Sequence, residues 1–536
     1  MNKKQITKQI LMIFASAVAG AIPHAVPSLW WLEWIAFIPF CYICFTLAEH
    51  PRRTPPFAAG FLFAFVYHFC TYFWFIWLYP FDSVGFSRPV AAAVCALAWL
   101  GASAIHGIIY GLSLPVYALL SRPLRSRGWR ASFLIKPFFF SAAWLLSESI
   151  TFCGTLAFPW SRLSVTQAFF TPAIQSVSLF GSYFLSFLII FTNSLAASAI
   201  ECIRKKERAS RRRAAVCISL GLSLFIANTA FGVIRMASGK PDGNAVSAAV
   251  IQGNIVSGDK WQEGRLTQIL DTYMSMTEEA ASSSPEWIIW PESAVPVNAA
   301  LAPKILDAYK ALSVSTGAEL YIGSFMTNDY CDTNSIIQIQ NGELSGTYSK
   351  RHLVPFGEYL PWKTFISFAM PSLAQINQYS DVLTPGADSG TLCYGTHRLG
   401  GAVCFDSIFP SLIRDAVNDG AEAIILVTND SWYKDSPAVR QHLAQAALRA
   451  AENGRYIVRA ANSGISAFIS DKGEITSEIG ALKRGILEGK VELISEKTLY
   501  SVIGDAFLYI VFLSAALIWA ALIIRERIYE KRKKNI

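Results

Sequence analysis

Long apolar runs separated by short basic clusters fill residues 1–235 and 501–536, and a shorter apolar period fills the stretch between them. A helix that crosses a bilayer needs about 20 mostly apolar residues. Five runs meet this without a single Asp, Glu, Lys or Arg: 57–79, 89–114, 173–200, 214–234 and 506–524. Three weaker runs, 9–26, 31–48 and 133–152, bring the expected number of spans to eight. Lys136 and Glu148, both in 133–152, are taken as the only charges inside the spans, which speaks against an ion or polar-substrate pathway. Residues 1–26 also have the order of a cleavable signal peptide, but their apolar stretch is long for one.

From about residue 245 the pattern changes. Short β-rich runs (Ala248 to Ile251, Trp287 to Trp290, Leu320 to Ile322, Ile336 to Ile339, Ala423 to Val427, Ile465 to Ile469) alternate with helical stretches. One helix is signalled at both ends, by Ser436 as cap with Pro437 in the first turn, and by Gly454 after its last residues. Another is expected from Ser407 to Asp419, stopped by Gly420. The alternation predicts one α/β or layered sandwich domain. The chain then divides into a membrane domain with seven helices at 1–235, a folded domain at 236–500, and an eighth helix with a basic tail at 501–536.

Composition agrees with lipid as part of the solvent. Hydrophobic residues make up 53% of the 536 and charged residues only 16%, against about 25% charged in soluble domains. Disorder and a wholly soluble protein are excluded. The net charge of +8 divides unevenly, −9 on residues 236–500 and +17 on the rest. The basic clusters (Lys3 to Lys8, Arg52–Arg53, Arg122 to Lys136, Arg204 to Arg213, Arg525 to Lys534) all fall on the N-terminal side of the expected membrane. The positive-inside rule then puts both termini in the cytoplasm and the folded domain outside. A nucleic-acid partner is excluded for that domain, which is acidic.

The ten cysteines form no metal or disulfide framework by spacing. Three segments carry candidate chemistry. In Trp290-Pro291-Glu292-Ser293 a hydrophobic strand ends in a carboxylate. Lys350 to Glu358 sets a basic cluster and a second carboxylate around an apolar turn. In Gly400 to Ser407 a strand runs through Cys404 into a helix start, where backbone N–H groups and the helix dipole are expected to lower the thiol pKa.

Taken together, Glu292, Lys350 and Cys404 resemble the catalytic set of the nitrilase (carbon–nitrogen hydrolase) superfamily. Gln252 to Ile255, Trp261, Lys350 to Glu358, Asn429 to Trp432, Gln441 to Leu443, Arg455, Arg459 and Asn462 to Gly464 resemble the apolipoprotein N-acyltransferase family within it. So does Phe158-Pro159-Trp160. That resemblance implies a multi-pass α-helical membrane domain with eight transmembrane helices plus an α/β nitrilase-like αββα sandwich. It implies an enzyme of the bacterial inner membrane with a periplasmic catalytic domain and no cofactor or metal. The acyl donor is a membrane phospholipid and the acceptor the α-amine of a diacylglyceryl apolipoprotein.

In the implied roles Cys404 is the nucleophile and Glu292 the general base and acid. Lys350 stabilises the oxyanion with the backbone N–H of Phe405 and favours the thiolate. Glu358 orients Lys350 or the base, Asp406 supports the nucleophile turn, and Trp261, Tyr359 and Trp432 contact substrate. Two departures stand out, Cys404-Phe405-Asp406 where the family usually has Cys-Tyr-Glu, and Ser431-Trp432-Tyr433-Lys434 where it has Ala-Trp-Phe-Gly. They bear on lipid fit and rate. The rival reading is a membrane-tethered amidase acting on small exported amides.

Overall fold

The computed structural model describes residues 3–49, 56–80, 86–125, 131–239, 244–260, 262, 264–328, 331–364, 368 and 383–534. Among these, seven helices are long and apolar enough to cross a membrane: Lys4–Ala25, Pro27–Glu49, Arg88–Leu120, Ser132–Ile150, Ser182–Arg204, Arg208–Ala237 and Ala506–Arg532. The third expected span, 57–79, differs. It is an α-helix only over Pro56–Thr71 and then tightens into a 3₁₀ segment, Phe73–Leu78. Sixteen residues rise only about 24 Å, less than the ~30 Å of a hydrocarbon core. Apolar composition marks a segment for lipid without fixing its helical period. The expected span at 173–200 likewise begins only at Ser182, after two short turns.

The outer faces of these helices are apolar and exposed. Leu97 is 70% exposed, Ile226 61% and Leu517 61%, a belt that water would not tolerate and lipid would. Inside, the charge count needs correction. Glu33 is fully buried in the second span, 3.9 Å from His24, and joins Glu148 as an interior carboxylate. Lys136 instead pairs at a helix end with Glu49 (2.9 Å) and Glu201 (3.1 Å).

The second part of the chain is a four-layer sandwich. One sheet has the order β12 (Gly485–Leu493), β1 (Asn244–Gln252), β2 (Trp287–Trp290), β3 (Glu319–Asn328), β4 (Cys331–Gln340), β5 (Glu343–Ser349), and the other β11 (Ile475–Ile479), β10 (Ser466–Ile469), β9 (Tyr456–Ala461), β8 (Ala421–Thr428), β7 (His397–Val403), β6 (Cys393–Tyr394). The strands that matter for the site are β2, β4, β5, β7 and β8. Trp287, Ile289, Tyr321 and Ile336 of one sheet meet Val403, Ile425, Val427 and Val458 of the other. The parallel pairs β1–β2, β2–β3, β7–β8 and β8–β9 read as near-continuous apolar runs because both faces of each strand are covered.

The helix Pro437–Asn453 covers the second sheet and carries Gly454 in the left-handed conformation past its end, as the sequence predicts. Ser436 holds the cap position, but its hydroxyl makes no cap bond. The other expected helix is Pro410–Asn418, preceded by a separate 3₁₀ turn at Cys404–Ile408.

Helix Pro437–Asn453 also fastens the sandwich to the membrane domain. Leu443 and Leu448 share one core with Phe37 and Trp144. Trp160 Nε1 donates to Gln441 Oε1 (2.6 Å), Gln441 Nε2 to the His24 carbonyl (2.9 Å), and Gln445 Nε2 to the Trp160 carbonyl (3.1 Å). Glu452 accepts from the Ser182 backbone N–H (3.0 Å) and hydroxyl while pairing with Arg449 Nε at 2.6 Å. A carboxylate from the sandwich thereby caps the N-terminus of a membrane helix.

Candidate active site

Three strand ends converge on one buried point. Glu292 lies two residues past β2, Lys350 directly follows β5, and Cys404 directly follows β7. Glu292 and Lys350, 58 residues apart, meet at 3.3 Å, and Lys350 Nζ donates to Glu358 Oε1 at 2.8 Å. The ammonium is only 1% exposed. Burial alone would lower its pKa, but the carboxylates of Glu292 and Glu358 reverse this and hold it well above the usual lysine range.

Glu292 is held from several sides. Asn334 Nδ2 donates to Glu292 Oε1 (2.7 Å) and to Glu358 Oε1 (3.1 Å), and the Asn429 backbone N–H donates to Glu292 Oε2 (2.8 Å). Behind the same turn, Lys260 Nζ donates to the Glu292 carbonyl (3.3 Å) and the Ser293 hydroxyl (3.2 Å). Burial lowers the Lys260 pKa to about 8, with the Glu292 carboxylate acting the other way. Gly323 lets the turn sit close, since a Cβ there would lie 2.3 Å from the Pro291 carbonyl oxygen.

Cys404 has φ +50, a left-handed conformation that costs a residue with a side chain about 1–3 kcal/mol. Its surroundings correct the expectation of a lowered thiol pKa. Burial pushes the thiol up, the Glu292 carboxylate adds to this, and the Lys350 ammonium does not offset them. The helix dipole contributes little, because the chain runs from the strand into a five-residue 3₁₀ turn and not directly into an α-helix. These surroundings favour the protonated thiol over the thiolate.

Asp406 anchors this turn to the Lys350 segment. Its Oδ1 accepts from the backbone N–H groups of His352 (2.8 Å) and Arg351 (3.2 Å), and its Oδ2 from the Tyr348 hydroxyl (2.8 Å) and the Val403 N–H (3.1 Å). The Phe405 ring faces the membrane domain, stacked near Phe158 and packed with Tyr72, Trp74 and Trp160. Of the expected substrate contacts, Tyr359 spends its hydroxyl on the Thr155 carbonyl at 2.5 Å. Trp432 is half-buried in the 3₁₀ turn Ser431–Tyr433, whose Tyr433 ring packs against Trp74. Trp261 lies outside the described residues.

The chain is similar to known proteins along nearly its whole length. Residues 247–497 match the carbon-nitrogen hydrolase family, and residues 16–195 match the apolipoprotein N-acyltransferase N-terminal domain. An apolipoprotein N-acyltransferase of Gloeobacter violaceus is 30% identical, with 97% of this chain and 95% of that protein aligned.

The chain belongs to the apolipoprotein N-acyltransferase family.

A second apolipoprotein N-acyltransferase, from Geobacter metallireducens, is 29% identical over 98% of this chain and 97% of that protein. The chain is an acyltransferase with a nitrilase-like domain joined to apolar membrane helices. A solved amidase of the nitrilase superfamily from Nesterenkonia AN1 is 17% identical, covering 50% of this chain and 97% of that one, at a TM-score of 0.39.

Sequence reasoning assigns no site role to Asn334, Lys260, Thr428 or His442. Asn334 carries no local signal, being one polar residue within a strand. Lys260 directly precedes Trp261, and Asp430 and His442 sit in the Asn429 to Trp432 and Gln441 to Leu443 motifs. The available clue is a polar pair at a strand end facing a His on the next helix.

Proposed function

We propose that this member of the apolipoprotein N-acyltransferase family moves an acyl chain from a membrane phospholipid, through a thioester on Cys404, to the α-amine of a diacylglyceryl-cysteine at an apolipoprotein N-terminus. The observation that carries the reading is the Lys350 ammonium set between Glu292 and Glu358 beside Cys404. Glu292 takes the thiol proton as the sulfur attacks the ester carbonyl carbon. Lys350 and the Phe405 N–H stabilise the oxyanion. Collapse breaks the ester C–O bond, and Glu292 returns the proton to the departing lysophospholipid oxygen. In the second half the acceptor amine attacks the thioester, Glu292 accepts the amine proton, and the C–S bond breaks. The sulfur then recovers a proton from Glu292.

A base beside a high-pKa thiol suits this sequence, since the proton travels with each step and never needs a free thiolate. The membrane helices give both lipid-anchored substrates lateral access. The chain sits in the bacterial inner membrane with both termini cytoplasmic and the sandwich periplasmic, which the one-sided Lys and Arg clusters support. Residues 1–235, 236–500 and 501–536 are then the membrane domain, the catalytic domain and the last helix with its tail.

The test is intact mass of the purified full-length protein after incubation with phospholipid in detergent. An acyl adduct on Cys404, absent in Cys404→Ala and discharged by a diacylglyceryl-cysteine peptide, is expected. Turnover of a small amide with no transferable adduct would replace this reading with an amidase.

A further inference from the structure

The geometry points to His442 as a positioning residue of the oxyanion hole, one that grips the Cys404–Phe405 peptide by its carbonyl so that the Phe405 N–H faces the reacting oxygen. This rests on the proposed roles of Cys404 and Phe405. A trans peptide is planar, with its C=O and N–H pointing in opposite directions. Whatever fixes the Cys404 carbonyl therefore aims the Phe405 N–H. The His442 Nε2 lies 3.1 Å from that carbonyl oxygen. A carbonyl only accepts, so this contact is a hydrogen bond when Nε2 carries the hydrogen, which the Ser407 hydroxyl, 3.1 Å from the same nitrogen, can share. The Ser407 hydroxyl donates to the same oxygen at 2.8 Å. Two donors on one carbonyl polarise the peptide and strengthen its N–H as a donor.

The imidazole is itself fixed. Nδ1 faces Asp430 Oδ1 at 2.8 Å, and Asp430 also accepts from Arg459 NH2 (2.6 Å) and from the Thr428 hydroxyl (3.1 Å). Burial opposes ionisation of Asp430, yet His442 and Arg459 hold its carboxyl below the usual range. On its far side the His442 ring lies 5.4 Å from that of Trp160, the residue clamped by Gln441 and Gln445. Donor atoms of Cys404, Asp430 and His442 lie within 4.8 Å of one another, a spacing compatible with a cation. Both Asp430 oxygens and both ring nitrogens are already engaged, so the cluster acts as an anchor for the turn.

The test separates a reaction that forms an oxyanion from one that does not. Single-turnover acylation of Cys404 by phospholipid and alkylation of Cys404 by iodoacetamide are measured on the full-length protein. His442→Asn keeps an amide near Nδ1 but none near Nε2. It is expected to slow acylation roughly 10–100-fold, below the ~10²–10³ lost with a whole oxyanion donor, while alkylation changes by less than about threefold, because substitution at an sp³ carbon builds no oxyanion. His442→Gln, whose amide nitrogen replaces Nε2, should regain most of the loss. Equal slowing of both reactions, or no slowing of acylation, overturns the inference. Should His442→Asn not fold, Ser407→Ala removes the other donor to the same carbonyl, and the same split is required of it. An acyl adduct that persists in Cys404→Ala would instead sink the proposed function itself.

Discussion

The Lys350 ammonium sits closer to Glu358 (2.8 Å) than to Glu292 (3.3 Å). Glu358 is in turn fixed by the Val354 N–H at 2.8 Å. The shorter contact holds the cation in place, and in the proposed mechanism the longer one leaves Glu292 able to accept a proton.

This asymmetry predicts unequal losses. Glu292→Gln should lower the rate of Cys404 acylation by ~10²–10⁴, the range of a general base. Lys350→Met should do comparable harm to rate and also destabilise by about 3–5 kcal/mol, because two buried carboxylates lose their cation. Glu358→Gln, which keeps an acceptor for Lys350, should fall between wild type and Lys350→Met. Single-turnover acylation and thermal unfolding in detergent measure the two effects separately.

The raised thiol pKa predicts the pH course of Cys404 alkylation. The ordinary thiol value is 9.0 and that of Cys404 lies above it. The iodoacetamide rate should therefore keep climbing through pH 9 instead of levelling off. In Lys350→Met the rate at a given pH should drop, since a cation favouring the thiolate is gone. A plateau below about pH 8 would mean that burial does not hold the thiol protonated.

Asp430 predicts the behaviour in acid. Its folded pKa lies below the unfolded value of 3.8, so the unfolded chain binds the proton more tightly. Its contribution to stability is present above about pH 4 and is lost as the pH falls through the folded value. Asp430→Asn should be less stable near neutrality by about 3–5 kcal/mol, having left the Arg459 guanidinium without its buried counter-charge. The melting temperature of this variant should also vary less with pH below about 4 than that of wild type.

The clamp between the sandwich and the membrane domain predicts a loss of stability away from the chemistry. Glu452 and Arg449 are fully buried and 2.6 Å apart. Glu452→Ala strands a buried guanidinium and uncaps the helix that begins at Ser182, at a cost of about 3–5 kcal/mol. Detergent-solubilised protein should melt earlier, whereas the pH dependence of Cys404 alkylation in the folded fraction should match wild type. A changed pH dependence would mean that the clamp reaches the site.

Local rules make much of the chain legible. Pro437 and Gly454 bracket a helix because their backbone preferences act within a few residues. Most membrane segments are readable from apolar length alone, yet 57–79 splits into an α-helix and a 3₁₀ segment because lipid asks only for an apolar surface. Glu292, Lys350 and Cys404 are recognisable as residue types in order, Glu292 and Cys404 at strand ends and Lys350 in a basic cluster before an apolar turn.

The sequence by itself determined most of the apolar segments and the alternation that builds the sandwich, because each rests on local composition or period, while Glu292, Lys350 and Cys404 stand out only through their resemblance to a family's motifs. Only the tertiary structure decided that the Cys404 thiol pKa is raised and not lowered, that Glu33 is an interior carboxylate, and that Asn334, Lys260 and His442 stand behind Glu292 and Cys404. Burial and hydrogen bonding depend on which distant segments meet, and 38 residues separate His442 from the carbonyl it grips. No local period encodes that meeting. It comes from packing one helix between a sheet and a membrane domain.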